Sequence, residues 1–577
     1  MKDYLFPIIT GALLCLFFMG LPELDKAEII PLSPSRGCIT KKDFLIMALI
    51  TLVFGAVDFW GLGSKTAPQS FVMLNESCAV IEFQEGDEPA SLMLYSGPTP
   101  GTVKLELSRD GENFFTVLEF DQNYAEVLKW HRLYCEGISG AKFARVSTGG
   151  EARIGELVFF DSEGNPLSCS SSCAALFDEQ DCCPEEYSFY NSTYFDEIYH
   201  ARTAWEHLNG VWPYEISHPP LGKLIIALGI SLFGMTPFGW RFSGTLAGVV
   251  MLPVMYVLLK KMFKDSRVAA CGTLVFAFDF MRFVQTRIAT IDSFAVLFIL
   301  LMYLFMYLYI SGEGLKNLGL SGLFFGIGAA CKWTCLYAGA GLALIWGIHR
   351  IKLRKEGFFS FLKNCLFCLL CFVFVPALIY YLAYIPYGLA EGITPVFSKE
   401  YLRLVLENQE FMFSYHSKLV AEHPYSSKWY QWVLNIRPIL YYLQYYSDGS
   451  RSSFGAWLNP MLCWGGLVAM FIVAYMAAFK KCRTALFIFI GYLAQLLPWV
   501  FITRLTFEYH YFASSVFLVA AVAYVFALMK KAPKAFVYGF TALSGVLFIL
   551  FYPALSGLAV STEFAAKFLH WLPTWPF

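Results

Sequence analysis

Long apolar runs broken by short charged or Pro- and Gly-containing connections set the pattern of this chain. We read the runs at 4–21, 44–62, 240–259, 268–284, 292–310, 318–332, 334–349, 358–385, 456–478, 484–502, 511–529 and 534–556 as bilayer-spanning helices. About twenty apolar residues match the hydrocarbon thickness of a membrane. Five connections are basic: Arg36 with Lys41 and Lys42, "KKMFKDSR" at 260–267, "HRIKLRK" at 349–355, "KKCR" at 480–483 and "KKAPK" at 530–534. Positive charge collects on the cytoplasmic side, and threading the spans through these five points leaves both chain ends outside. The run "LGKLIIALGISLFGM" at 221–235 would break that path if it crossed. It is therefore laid flat in the interface, between the Pro219–Pro220 break and Pro237. The first run follows a short charged start, "MKDY", but no small-residue cleavage site follows it, and we read it as an anchor rather than a signal peptide.

From 63 to about 168 the period changes. Segments such as "CAVIEF", "SLMLYSG", "TVKLELSRDG", "FFTVLEF" and "KFARVSTGG" alternate apolar and polar positions between Gly, Pro and Asp-Gly turns. That pattern predicts an inserted β-sandwich on the outer face. Its closing run, "AKFARVSTGGEARIGELVFFDSEG", resembles the end of discoidin-like, galactose-binding-like jelly rolls. A spacer domain and a carbohydrate-binding one both fit.

Composition agrees with a polytopic membrane protein. Hydrophobic residues make up 57% of the chain and charged ones 15%, with a mean hydropathy of +0.53. The basic residues form short clusters instead of one stripe, which argues against nucleic acid as a partner. Of the 16 cysteines, Cys78, Cys135, Cys169, Cys173, Cys182 and Cys183 fall in the outer segment. Disulfides within "CSSSCAALFDEQDCC" are the expectation there, with free thiols and a metal site as alternatives.

Candidate chemistry lies in the outer connections. "FDEIYHARTAWEHLNG" at 195–210 places adjacent carboxylates, Asp196 and Glu197, at the start of a helix with an apolar face. "HPPLGK" follows at 218–223. Arg241, Arg282, Arg287, Lys332, Arg437, Arg504 and His510 all fall at outer loops or outer ends of spans. Cations there run against the positive-inside bias and need a reason. Internal pairing is one, as for Asp292 five residues after Arg287; snorkelling is a second, and an anionic lipid ligand is a third. A carboxylate facing cations suits a phosphate-bearing donor and a neutral nucleophile that needs a base. No His, Asp or Glu cluster has metal-ligand spacing, and neither a metal nor another cofactor is expected.

Several stretches make the chain recognisable: "DE" at 196–197, "HPPLGK", "WRFSGTLAGVVMLPVMY" at 240–256, "RIATID" at 287–292, "CKWT" at 331–334, "HPYSSKWYQWVLNIRPI" at 423–439 and "PWVFITRLTFEYHYF" at 498–512. In this order they resemble the dolichyl- or polyprenyl-phosphate-mannose–protein O-mannosyltransferases, bacterial members in particular, which belong to the multi-span GT-C class of glycosyltransferases. The resemblance implies a GT-C-like polytopic helical fold with about eleven core spans, one extra span at the start and the inserted β-sandwich.

The implied organisation is two helices in 1–62, the sandwich in 63–168 and a Cys-containing linker with the catalytic outer loop in 169–239. Helices follow in 240–385, a second outer loop in 386–455, helices in 456–556 and an outer tail in 557–577. The implied reaction moves mannose, with inversion, from polyprenyl-phosphate-mannose to Ser or Thr hydroxyls of a protein, at the outer face of a bacterial plasma membrane. By the family pattern Asp196 is then the base, with Glu197, the second catalytic candidate, orienting it or binding the sugar. Arg241, Arg504, Lys332 and Arg287 are candidate phosphate contacts. His218, His423, Trp429 and Arg437 are candidates for the sugar or acceptor groove, while Asp292, Pro219 and Pro220 are structural. His218 ordering the Pro-Pro turn, Trp429 packing and Arg287 pairing with Asp292 remain the plainer readings. A transferase acting on a lipid or cell-wall glycan, similar to aminoarabinose transferases, is the main alternative. A transporter would show internal repeats, and a receptor would show a cytoplasmic output domain; the sequence has neither. Oligomeric state is left open by the sequence.

Overall fold

The computed structural model describes residues 10, 11, 14, 28–75, 77–135, 139–352, 357–529 and 534–577. The expected first span, 4–21, lies outside the described residues except at 10, 11 and 14. The chain forms two compact units: Met1–Trp60, Ile216–Gly222 and Gly244–Phe577 make one, and Gly61–Glu215 with Lys223–Ser243 makes the other.

The first unit is helical. Among the described residues, seven helices are long and apolar enough to cross a bilayer: Pro237–Phe263, Asp292–Ile310, Phe358–Ala390, Met461–Ala478, Arg483–Val500, Glu508–Leu528 and Ala535–Ser556. An eighth is counted if Ser266–Ala277 and Phe280–Thr286, bent by 58°, form one broken span. The bend has a cause. Asp279 ends one helix and caps the next, accepting from Arg282 N at 3.1 Å and from Asn459 N at 3.0 Å.

The expectation of about eleven core spans is thus corrected to seven or eight. The apolar run at 318–332 is too short to cross, since fifteen helical residues reach only about 22 Å, and the run at 334–349 fails by composition. The helix Leu315–Cys331 has 17 residues. The helix Thr334–Lys352 is thinned by Gly339, Gly341 and Gly347 and ends in His349, Arg350 and Lys352. The run 44–62 belongs to the helix Lys41–Phe59, which carries Asp43 and Asp58 on its buried side.

Those two acids show how this unit holds charge away from water. Asp58 takes both ends of the Arg282 fork, at 2.7 and 3.0 Å, and both side chains are fully buried. Asp43 lies 3.3 Å from Lys260 and accepts from Tyr256 Oη at 2.8 Å. The opposite face of the same helix leaves Leu45, Leu49 and Leu52 exposed, as a lipid-facing surface would.

The second unit opens with a β region. β1 (Ala79–Phe83), β3 (Gly101–Ser108), β4 (Phe115–Gln122), β6 (Phe143–Gly150) and β8 (Cys169–Ser171) form a five-stranded antiparallel sheet, ordered β4-β3-β6-β1-β8. β2 (Ser91–Ser96), β5 (Trp130–Tyr134) and β7 (Ile154–Phe160) form a second, ordered β5-β2-β7. Ile81, Val103, Leu105 and Val146 share one core with Leu92, Leu94, Leu157 and Phe159. The outer face of the three-stranded sheet is also covered: Met93, Tyr95, Trp130 and Val158 pack with Ala67, Phe71, Cys182 and Cys183. This explains why every residue of β2 is buried.

The two sheets share this core and no strand pairing joins them among the described residues, so of the expected β-sandwich the structure supports an N-terminal region of two β-sheets that is not closed. The six cysteines of the segment are free thiols. The disulfide expectation is not met, and Cys182 and Cys183 serve as packing residues against the small sheet. The apolar run 221–235 becomes the helix Leu221–Phe233, whose 13 residues are too few to cross.

Removing Asp58 tests the charge-pairing account. Asp58→Ala leaves Arg282 buried without its counter-ion, and the unfolding midpoint of the detergent-purified protein should fall, by about 3–5 kcal/mol of stability. Replacing both, as Asp58→Ala with Arg282→Met, should recover most of that loss. An unchanged midpoint in the single variant would show that the pair contributes nothing.

Candidate active site

The helix Glu197–Leu208 begins at the paired carboxylates, and the chain enters it through Phe195 at φ +47°. A non-glycine residue in the left-handed region is strained, and such strain is kept where it positions something. The two acids have different surroundings: Glu197 is fully buried, Asp196 only half-buried.

Glu197 takes the whole fork of Arg241, Nε to Oε1 at 2.8 Å and Nη2 to Oε2 at 2.7 Å. The remaining donors of Arg241 hold the carbonyls of Leu62 and Ser192, each at 2.9 Å. Its guanidinium also lies over the Tyr194 ring at 4.8 Å. Gly63 is required here, because a Cβ at that position would fall 2.8 Å from Arg241 Nη1. Arg241 is therefore held inside the protein, and a role as phosphate contact does not fit its geometry.

Asp196 is the N-cap of the helix, yet its carboxylate makes no cap hydrogen bond. An aspartate at this position ordinarily does. The acids that follow are each tied to a cation: Glu206 to Arg202 at 2.8 Å, and Glu215 to Lys223 at 2.6 Å. Burial raises the pKa of the Glu206 carboxyl and lowers that of the Lys223 amine, the sign of charges held where water does not reach.

The helical unit has a basic cluster of its own. Lys332 ends the helix Leu315–Cys331 in extended conformation, pairs with Asp292 at 2.7 Å and lies 5.7 Å from the Tyr509 ring centre. The Pro219–Pro220 turn is buried, and His218 stands against His416, with ring centres 5.1 Å apart. His416 Nε2 lies 2.8 Å from the Ser217 carbonyl. Burial pushes His416 down to about 4, aided by the positive charge of His218, Arg504 and Lys332. Arg504 is half-buried, and its one hydrogen bond among the described residues runs to the carbonyl of the next residue, Leu505, at 3.2 Å.

The remaining expectations divide. Asp292 pairs with Lys332, so the expected Arg287–Asp292 pair is corrected; Arg287 instead holds the carbonyls of Asp58 and Trp60, each at 2.8 Å. Arg437 donates to the Pro424 carbonyl and closes the 424–437 loop. His423 packs edge-on to Phe507 at 5.0 Å, and Trp429 lies against Tyr430. His416 was missed by sequence reasoning. It sits on the helix Lys399–Lys418, and one histidine on a polar helix carries no pattern by itself.

Comparison with known proteins adds the family. A model described as dolichyl-phosphate-mannose-protein mannosyltransferase matches residues 217–390. A second, the C-terminal four-transmembrane region of protein-O-mannosyltransferase, matches 401–575. Both begin after the β region and after Asp196. A polyprenol-phosphate-mannose–protein mannosyltransferase of Mycolicibacterium smegmatis is 24% identical over 457 residues, 66% of this chain and 87% of that protein. The Mycobacterium tuberculosis counterpart is also 24% identical, over 66% of this chain and 86% of its own length. Among solved structures, the Saccharomyces cerevisiae protein O-mannosyltransferase Pmt1–Pmt2 complex bound to the sugar donor matches with a TM-score of 0.58. That match has 13% identity and covers 67% of this chain and 89% of that one.

Glu197→Gln and Arg241→Lys should each lower the unfolding midpoint, and the double variant should lose less than the two losses added, as expected for partners in one pair. Donor titrations of the purified variants decide between roles. Weakened donor binding with an unchanged midpoint would return Arg241 to the phosphate site.

Proposed function

Because the chain belongs to the polyprenyl-phosphate-mannose–protein mannosyltransferase family, we propose that it transfers mannose from a polyprenyl phosphate to Ser or Thr hydroxyls of a protein. The transfer takes place at the outer face of a bacterial plasma membrane, the side that the family resemblance implies. The observation that supports the reading is the difference between the neighbours at 196–197: Glu197 is buried on an arginine, while Asp196 is half-buried at a strained helix start.

The reaction is a single displacement. The acceptor oxygen bonds to the anomeric carbon while the bond from that carbon to the phosphate oxygen breaks. The hydroxyl proton passes to the Asp196 carboxylate, and polyprenyl phosphate leaves with the electron pair. A hydroxyl is a poor nucleophile near neutral pH, so the base is needed as the bond forms. The phosphate is stable once released and needs no acid to accompany it.

Arg504 and Lys332 take the phosphate. Arg504 has most of its fork available, and Lys332 has further donors beyond the one directed at Asp292. Their attraction grows as charge moves onto the leaving phosphate, which is the differential stabilisation that lowers a barrier. Glu197 and Arg241 act as positioning residues that fix the start of the Asp196 helix. His218 and His416 shape the turn that carries the Pro-Pro break.

Proteoliposomes supplied with radiolabelled polyprenyl-phosphate-mannose and a Ser/Thr-rich peptide test the reading. Wild-type protein should label the peptide, and Asp196→Asn should lower the rate by about 10²–10⁴ while the unfolding midpoint stays put. An Asn variant of near wild-type rate would remove Asp196 from the chemistry. Label found in lipid or glycan and never in peptide would overturn the protein acceptor while leaving the donor in place.

A further inference from the structure

We propose that Glu156, Asp178 and Glu179 bind a hard divalent cation of the calcium class, in the second unit beside the three-stranded sheet. Their carboxylate oxygens lie within 4.8 Å of one another. None of the three has an ion-pair partner among the described residues. Three like charges gathered at that distance repel strongly unless a cation or protons intervene.

Two buried polar atoms on this face of the sheet make no hydrogen bond. Glu156 is fully buried, and its Oε1 makes no hydrogen bond; its Oε2 accepts from Glu179 N at 3.0 Å. Tyr95 is fully buried too, and its hydroxyl makes none. Tyr95 is the direct cross-strand partner of Glu156, so the two side chains share one face of the sheet. Leaving a buried carboxylate oxygen unsatisfied is costly, and burial together with Asp178 and Glu179 pushes Glu156 up to about 7.

The donor set selects the ion. It is all oxygen and all carboxylate, with no histidine in the cluster, which suits calcium, with its flexible oxygen coordination, and not zinc or copper. Cys182 is nearby, but burial and the neighbouring carboxylates raise its pKa and keep it a thiol, a poor soft-metal ligand.

The site also has a structural task. Glu179 Oε2 accepts from Gln69 N at 2.9 Å and from Ser70 N and Oγ at 3.2 Å. The Gln69 side chain in turn accepts from Met235 N at 2.8 Å. Gln180 donates to the Leu157 carbonyl at 3.2 Å. A cation here fastens the 178–180 loop onto β7 and, through Gln69, onto the turn ahead of the helix that carries Arg241. It does the stapling that the neighbouring cysteines do not.

Terbium luminescence tests the proposal on the full-length protein in detergent. Trp130 packs against Tyr95, ring centres 5.1 Å apart, and would sensitise Tb³⁺ bound beside it. The expected result is one saturable Tb³⁺ signal displaced by calcium and not by equal magnesium. It should be abolished in Glu156→Gln and weakened about tenfold or more in Asp178→Asn, where one ligand is lost. Asp178 is exposed, so its variant folds as wild type does and decides the matter if the Glu156 variant does not. A wild-type protein with no saturable signal below about 1 mM would overturn the proposal, that being the weak end of extracellular calcium sites. A signal that persists unchanged in Asp178→Asn would overturn it equally.

Discussion

An ionised side chain withdrawn from water has to meet its counter-charge, and this one requirement orders most of the polar residues in the chain. A carboxylate or guanidinium in a low-dielectric interior costs several kcal/mol unless it is paired and hydrogen-bonded. Asp58 with Arg282, Asp43 with Lys260, Asp292 with Lys332, Glu197 with Arg241 and Glu215 with Lys223 meet that cost by geometry. Each pair also fixes the register of the elements that carry it. The Asp58 pair ties the Lys41–Phe59 helix to the broken span, and the Glu197 pair ties the start of the Asp196 helix to the helix Pro237–Phe263.

The same requirement sorts structure from chemistry. Arg241 and Arg504 looked equivalent as cations away from the cytoplasmic side, and only their surroundings separate them. One makes four hydrogen bonds within the protein; the other bonds a single neighbouring carbonyl among the described residues. Asp196 and Glu197 separate by burial, one residue apart in sequence and a helical step apart in direction: Glu197 is fully buried and Asp196 half-buried.

How much of this was legible in the sequence follows from the range of each signal. Apolar runs are local, and the long helices at 292–310 and 358–390 stand out at once. Runs of fifteen did not reveal that they fall short, because hydropathy says nothing about where a helix stops. The alternation in "CAVIEF" and "TVKLELS" announced β1 and β3, but which sheet each strand joins depends on pairings such as Ala79 with Val146, which no local pattern encodes. The Asp196–Glu197 pair was visible through adjacency. The Lys332–Asp292 pair was not: Asp292 was close to Arg287 in sequence and was assigned to it, yet it meets a lysine forty residues on. The Glu156–Asp178–Glu179 cluster was hidden for the same reason, since a strand and a loop twenty-two residues apart supply its ligands.

The central claim is that one carboxylate of the pair reacts and the other only holds the fold. This has a stereochemical consequence, because retention needs a second carboxylate to act as nucleophile, and Glu197 is locked on Arg241. Nuclear magnetic resonance of the glycopeptide formed from a donor of defined anomeric configuration reads the outcome directly. The account predicts inversion at the anomeric carbon, the sugar arriving on the acceptor with the configuration opposite to that of the donor. Retention would contradict it, since a second nucleophile would then have to stand where the structure has only a buried ion pair.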